Sequence, residues 1–192
     1  MKKILIIQAN PMKLSYGHQL AEAYAKGAEE SGASVTFLDL SDLNFELNLK
    51  DGYSKVQELE PDLVYAQKLI KEADHLVFVY PTWWASFPAL LKGFIDRVFL
   101  PGFAFKYRNG SSLWDKLLKG KTARIIITMD APVLWYRFMN KQPGVHILKT
   151  GVLEFCGIKP VKVSLIGQVK MMEATKRLRW IEKMYKLGQK MN

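Results

Sequence analysis

Three short stretches of the chain carry residue types suited to holding a charged, flat ligand. The first is Asn10 followed by Ser15, Tyr16 and Gly17, with Ser15 well suited to cap a helix. A helix N-terminus presents unpaired N–H groups and the positive end of the helix dipole, which together attract phosphate. Capping its own helix and meeting a phosphate are compatible roles for Ser15. The second stretch is Pro81, Thr82, Trp83, Trp84 and Ala85, two consecutive indoles on a loop. Either a flat molecule lies against them, or core or subunit packing claims one of them. The third is Thr128, Met129 and Asp130, with Trp135 and Tyr136 just beyond. The first loop alone is a weak signal, for it has neither G-x-G-x-x-G nor a Walker lysine.

The elements that must position these loops follow from hydrophobic spacing. Residues 76–80 are a short apolar run of the kind central parallel strands show, and Pro81 stops it. Pro88 opens a helix on which Leu90, Leu91, Phe94, Ile95, Val98 and Phe99 recur at helical spacing. Further strands are predicted over 3–9, 34–40, 122–129 and 161–166, and further helices over 15–31, 61–73, 144–155 and 171–190. On the last helix Met171, Ala174, Leu178, Ile181 and Tyr185 lie along one side. Residues 42–60 and 101–115 read as excursions within one domain spanning 1–192. Asn109-Gly110 signals a turn, Ser111 or Ser112 is expected to cap a short helix ending at Gly120, and 130–143 reads as a long loop.

Five alternations of strand and helix predict an α/β, doubly wound parallel sheet of five strands, order 2-1-3-4-5, with helices on both faces. In such sheets ligands bind outside the carboxyl ends of the strands, at the switch point between strands one and three. All three loops leave that edge. A phosphate cradle, aromatic platforms and polar groups in one crevice suit flavin mononucleotide.

The composition agrees with a soluble globular protein: 192 residues, 49% hydrophobic and 24% charged. The apolar run after Met1-Lys2-Lys3 ends at Ile7, too short for a signal peptide, and Pro81 and Pro88 break the longest later one. A single cysteine, Cys156, leaves no internal disulfide. A cytoplasmic protein that does not span a membrane is the expectation. The net charge of +10 is concentrated after residue 140, where eleven Lys and Arg face three Glu. No zinc spacing, helix-turn-helix or aromatic RNA motif accompanies it, so it reads as a solvated face rather than a nucleic-acid site.

The run from Tyr80 to Phe105, YPTWWASFPALLKGFIDRVFLPGFAF, resembles the flavodoxin-like NAD(P)H:quinone oxidoreductases of the DT-diaphorase and modulator-of-drug-activity group. The similarity rests on Pro81, Thr82-Trp83-Trp84, then Pro88-Ala89-Leu90-Leu91-Lys92-Gly93-Phe94-Ile95-Asp96-Arg97-Val98-Phe99 and Gly102-Phe103-Ala104-Phe105. It extends to Asn10 and Ser15-Tyr16-Gly17, and returns at Gly151-Val152-Leu153-Glu154-Phe155-Cys156-Gly157. The resemblance implies a flavodoxin-like fold and a homodimer with the active site at the subunit boundary. It implies a flavin, FMN or alternatively FAD, reduced by NAD(P)H and reoxidised by a quinone-like acceptor in a ping-pong sequence. By position Asn10, Ser15, Tyr16 and Gly17 would hold the flavin phosphate, while Pro81, Thr82, Trp83, Trp84 and Ala85 would meet the rings. Thr128, Met129 and Asp130 would line the far edge. Relatives that serve ion-efflux systems imply a possible partner protein. FMN is favoured over FAD because the chain is short and shows no adenosine pocket.

Two departures stand out. The family's Thr-Thr-Gly-Gly after strand four is here Thr128-Met129-Asp130-Ala131, which brings a carboxylate toward a ring that becomes anionic on reduction. Tyr136 stands where a proton-relay Tyr could be, as a catalytic residue or as a wall of the pocket, with no His at the expected place after it. His75 reads as a structural histidine, Cys156 as a small buried residue, and His18 as a possible phosphate neighbour. The rival readings are a flavodoxin-type electron carrier and a non-catalytic flavin-binding regulatory subunit. A phospho-acceptor domain is set aside, because Gln8, Ala9 and Tyr80 stand where it needs acidic residues.

Overall fold

The computed structural model describes residues 1–191. In chain order the elements are β1 (Lys3–Gln8), α1 (Tyr16–Glu30), β2 (Ser34–Asp39), α2 (Pro61–Glu72), β3 (His75–Pro81) and α3 (Ala89–Val98). Then come β4 (Phe105–Tyr107), β5 (Trp114–Lys116), β6 (Thr122–Thr128), α4 (Val133–Phe138), α5 (Pro143–His146), β7 (Val161–Ile166) and α6 (Ala174–Gln189). Five strands form one parallel sheet in the order β2-β1-β3-β6-β7, and β4 and β5 pair separately as an antiparallel hairpin. The main sheet is the five-strand order expected from the alternation, with the hairpin inserted between its third and fourth strands.

The sheet is covered on both faces, which is why its strands are apolar throughout. Ile4, Ile6, Val77, Val79, Ile126 and Ile166 meet Leu20, Ala21, Tyr24 and Met184 of α1 and α6. Leu5, Ile7, Leu76, Phe78, Ile125 and Ile127 meet the layer built from α2, α3 and the helix after α4. Helices α1 and α6 touch backbone to backbone. A Cβ on Gly188 would lie 2.0 Å from the Tyr24 carbonyl oxygen, and one on Gly27 would lie 2.1 Å from that of Tyr185. Glycine is required at both crossing points.

Several local expectations are corrected. Residues 111–120 hold no helix: Trp114 stacks on Phe155 with ring centroids 4.4 Å apart, its Nε1 donates to the Phe155 carbonyl at 3.0 Å, and this holds the segment as β5. The stretch 130–143 is not simply a loop, since Pro132 caps α4 inside it. The helix that follows begins as α5 and continues in π form over Ile147–Glu154. The last helix starts at Ala174 because Arg177 donates to the Met172 and Val169 carbonyls and holds the preceding turn open. Its buried side is Met184 and Gly188, whereas Met171 and Leu178 are exposed. The excursion at 42–60 is tied down by the fully buried Arg97, whose guanidinium donates to the Glu46 and Glu58 carbonyls and pairs with Glu60 at 2.8 Å.

Candidate functional site at the carboxyl edge of the sheet

Strand register brings the three loops together. Pro81 pairs with Thr128, and the Thr82 amide donates to the Thr128 carbonyl at 2.7 Å. The Ala9 amide donates to Val79 and the Met129 amide to Ile166, each at 2.9 Å. The loops after β1, β3 and β6 therefore open side by side.

In the first loop Asn10 accepts the Met12 amide on its side-chain oxygen at 3.0 Å, closing a tight turn. Ser15 is the N-cap of α1 and accepts the His18 amide. Among the described residues, the amides of Tyr16 and Gly17 meet no acceptor. They are the free donors expected at a helix start, and they face the crevice side of the sheet edge. The Tyr16 ring lies under the Arg177 guanidinium, 4.9 Å from its centroid, and its hydroxyl donates to the Arg177 carbonyl.

The second loop is a two-residue reversal. Trp83 and Ser86 exchange both backbone hydrogen bonds, at 3.0 and 2.9 Å. Trp84 and Ala85 between them have φ of 51° and 59°. This is the geometry glycine and asparagine usually supply, and a bulky residue held there costs of order 1–3 kcal/mol. The strain places the Trp84 indole wholly in solvent, with Trp83 about half exposed. Neither belongs to the core of this chain. Below them the Thr82 hydroxyl oxygen is buried without a partner.

In the third loop Thr128 and Met129 are buried, while Asp130 is exposed. Asp130 accepts the Lys170 amide at 2.9 Å. Its carboxylate thus ties the loop after β6 to the loop after β7. Tyr136 is only 2% exposed and sits behind the Trp83–Ser86 turn rather than on the open edge. A Cβ on Gly144 would lie 3.1 Å from both the Tyr136 hydroxyl and Ser86 Cα. Burial raises the Tyr136 phenol above its ordinary pKa, so it is protonated at neutral pH. Tyr80, on the same inner wall, is raised further by burial and then by Tyr136.

The other titratable candidates are structural. His75 is buried between the Tyr24 hydroxyl, at 3.1 Å, and the Thr122 hydroxyl, at 2.6 Å, and burial depresses its pKa to about 3. Cys156 is buried and its thiol is pushed up to about 12. His146 is exposed on α5. Among the described residues no group of His, Cys, Asp and Glu is arranged to hold a metal.

Residues 2–186 match the family described as having the flavodoxin-like fold. The chain belongs to that family. A relative from Haemophilus influenzae, named as an NAD(P)H oxidoreductase, is 34% identical over 185 residues, covering 93% of this chain and 90% of its own. NAD(P)H dehydrogenase [quinone] 1 of Cavia porcellus is 30% identical over 190 residues, covering 86% of this chain and 68% of its own. Among solved structures, an FMN-dependent NADH-azoreductase from Bacillus anthracis in complex with FMN superposes with a TM-score of 0.78 at 20% identity, covering 99% of each chain.

The three predicted loops meet at one edge, but some of their neighbours were not anticipated. Gly144 and Ser86 back the tryptophan turn, Lys170 pairs with Asp130, and Gln8 and Asp39 end strands beside Ser15. Asp39 had a legible signal, since it lies one residue from the carboxyl end of the strand predicted over 34–40 and so stands near the ligand edge. The Gly144 contact had none, because it depends on how α5 folds back.

Proposed function

We propose that the protein is a flavin-dependent NAD(P)H oxidoreductase of the quinone-reductase type. It transfers two electrons as hydride, first from NAD(P)H and then to a quinone or similar acceptor, in a ping-pong sequence, and FMN is the favoured flavin. One observation carries the reading: a strained turn exposes the Trp84 indole on the loop after β3, and the neighbouring strand β1 leads to the free amides at the start of α1. That is a platform and an anion cradle on adjacent loops, and the orphaned Thr82 hydroxyl is a further polar group for a ligand to satisfy. The names of the relatives from Haemophilus influenzae and Cavia porcellus support the reaction class, and the FMN-bound azoreductase supports the flavin.

Bound flavin supplies the two-electron carrier that no side chain provides. The chain supplies the rest. Asn10, Ser15, Tyr16 and Gly17 bind the phosphate, using backbone donors and the helix dipole. Thr82, Trp83, Trp84 and Ala85 orient the ring system and keep water from one face. Thr128, Met129 and Asp130 close the far edge, with Asp130 acting through its bond to the 170 loop. Tyr136, protonated and buried, serves as the wall behind the turn and is the candidate proton donor. NAD(P)H and the acceptor would use the open side in turn, where Leu134, Trp135, Phe138 and Met139 are exposed.

The test is the colour of the purified protein. It should be yellow, with flavin bands that bleach on adding NADPH without oxygen. A colourless protein that takes up neither FMN nor FAD overturns the proposal.

A further inference from the structure

The first turn of α1 carries a hydrogen-bonded chain that the cofactor reading leaves unused. Ser15 Oγ lies 2.9 Å from His18 Nδ1, and His18 Nε2 lies 2.9 Å from Asp39 Oδ2. The other Asp39 oxygen accepts the Ser41 amide at 3.0 Å and the Ser41 hydroxyl at 2.8 Å. Resting on the flavin reading above, we propose that Ser15, His18 and Asp39 form a proton-linked latch on the phosphate held at the start of α1. Uptake of a proton by His18 converts the Ser15 hydroxyl from a donor to the imidazole into a donor to the phosphate.

Burial alone would raise the Asp39 pKa, but hydrogen bonds from His18 and Ser41 outweigh it and hold the carboxyl below its ordinary value. Asp39 is therefore ionised and accepts a hydrogen bond from Nε2–H when His18 is neutral, which fixes the tautomer. Nδ1 is then a lone pair, and the Ser15 hydroxyl spends its one proton on it. Ser15 oxygen is left to accept the His18 amide and has nothing to offer an anion. In the imidazolium form Nδ1 becomes a donor to Ser15 Oγ, and the hydroxyl proton is released toward the phosphate. The cation formed stands between the Asp39 carboxylate and the bound anion, so each favours the other's binding. His18 and Asp39 are positioning residues, for they reach the phosphate only through Ser15.

A second observation points to a ligand here. Gln8 is 1% exposed, and both its amide atoms are buried without a partner. It follows Ile4 and Ile6 on the sheet face that α1 covers, paired in register with Asp39 on one side and Val79 on the other. A Cβ on Gly17 would stand 3.6 Å from Val79 Cγ1, so the α1 first turn lies directly above. The unsatisfied amide thus forms the floor beneath Ser15 and Gly17. The remaining charges nearby are the Lys13–Asp42 ion pair, Arg177 over the Tyr16 ring, and Glu22 one exposed turn along α1. The chain has three histidines, and the other two lie in β3 and α5. Comparison with His18→Gln assigns a proton taken up near neutral pH, where α-amino groups also titrate.

The test is titration calorimetry of FMN into the flavin-free protein at about pH 7.5, in buffers of different ionisation heat. There the phosphate, with its second pKa of about 6, is almost wholly dianionic, so it releases no proton itself. The wild type should take up a proton on binding FMN and none on binding riboflavin, which lacks the phosphate. Its Kd for FMN should rise as the pH is raised, by as much as about tenfold per pH unit where binding takes up one full proton. His18→Gln should bind FMN with no proton uptake and a flat pH profile. Asp39→Asn, which keeps the turn at Ser41 but not the charge, should also lose uptake. FMN binding without uptake, or equal uptake by the wild type and His18→Gln, overturns the latch and leaves the flavin site standing. Failure of FMN, riboflavin and FAD alike to bind overturns the flavin reading itself.

Discussion

Trp84 has the environment of a ligand platform and none of a core residue. It is fully exposed on a strained turn, so removing its ring should leave the apo-protein as stable as before. A buried aromatic would cost about 3–5 kcal/mol on truncation. We expect Trp84→Ala to weaken flavin retention or raise the KM for quinone with an unchanged apo melting temperature. A large drop in apo stability with normal turnover would assign the ring to packing. His75 gives the opposite case, a buried group whose role is structural. Its pKa falls from 6.5 to about 3 on folding. The unfolded chain therefore binds the extra proton between those values, and stability is full above about pH 6.5 and declines as pH falls toward 3. The slope approaches about 1.4 kcal/mol per pH unit well inside that window. Urea unfolding of the apo-protein at pH 7 and pH 5 should show the loss, and His75→Gln should flatten the difference between the two.

The contact between α1 and α6 joins the helix that follows the β1 loop to the last helix through two glycines. Gly188 lies so close to the Tyr24 carbonyl that a methyl group cannot enter without separating the helices. Overpacking of this kind typically costs about 1–3 kcal/mol. We expect Gly188→Ala to lower the melting temperature by several degrees. The start of α1 should shift with it, so flavin affinity should fall as well. An unchanged melting temperature would mean that the helices slide apart without cost. The same contact explains why only part of the face expected on the last helix turns inward. Of Met171, Ala174, Leu178, Ile181 and Tyr185, Ile181 packs partly buried against the core and Tyr185 is half-buried, whereas Met171 and Leu178 are exposed, because close approach is governed by small residues and Gly188 marks the buried side.

For the whole molecule, the carboxyl edge carries Leu14, Trp84, Leu134, Trp135, Phe138 and Met139 in solvent. Exposed apolar groups gathered at one edge mark an interaction surface. The helix from Ala89 to Val98 supplies no spare apolar surface, since Leu91, Phe94, Ile95 and Val98 are all spent in its own core. We therefore place the expected homodimer contact around the edge loops and predict a dimer by sedimentation at micromolar concentration. Monomer alone at that concentration would count against it. Among the described residues no helix is long and apolar enough to cross a membrane.

What the residues decided by themselves is local and periodic. Apolar runs of strand length, helices between them and proline at their boundaries determined the strand order and sent three loops to one edge. Ser15 capped its helix as its side chain requires. The tertiary structure alone decided what depends on residues distant in sequence. Trp114 became a strand because Phe155, 41 positions on, gives its indole a surface and an acceptor. Asp130 turned from the crevice to the Lys170 amide because β6 and β7 end side by side. Tyr136 went behind the tryptophan turn because Gly144 has no side chain to block it. His18 met Asp39 because β2 stops beside the first turn of α1, an adjacency that no spacing along the chain encodes.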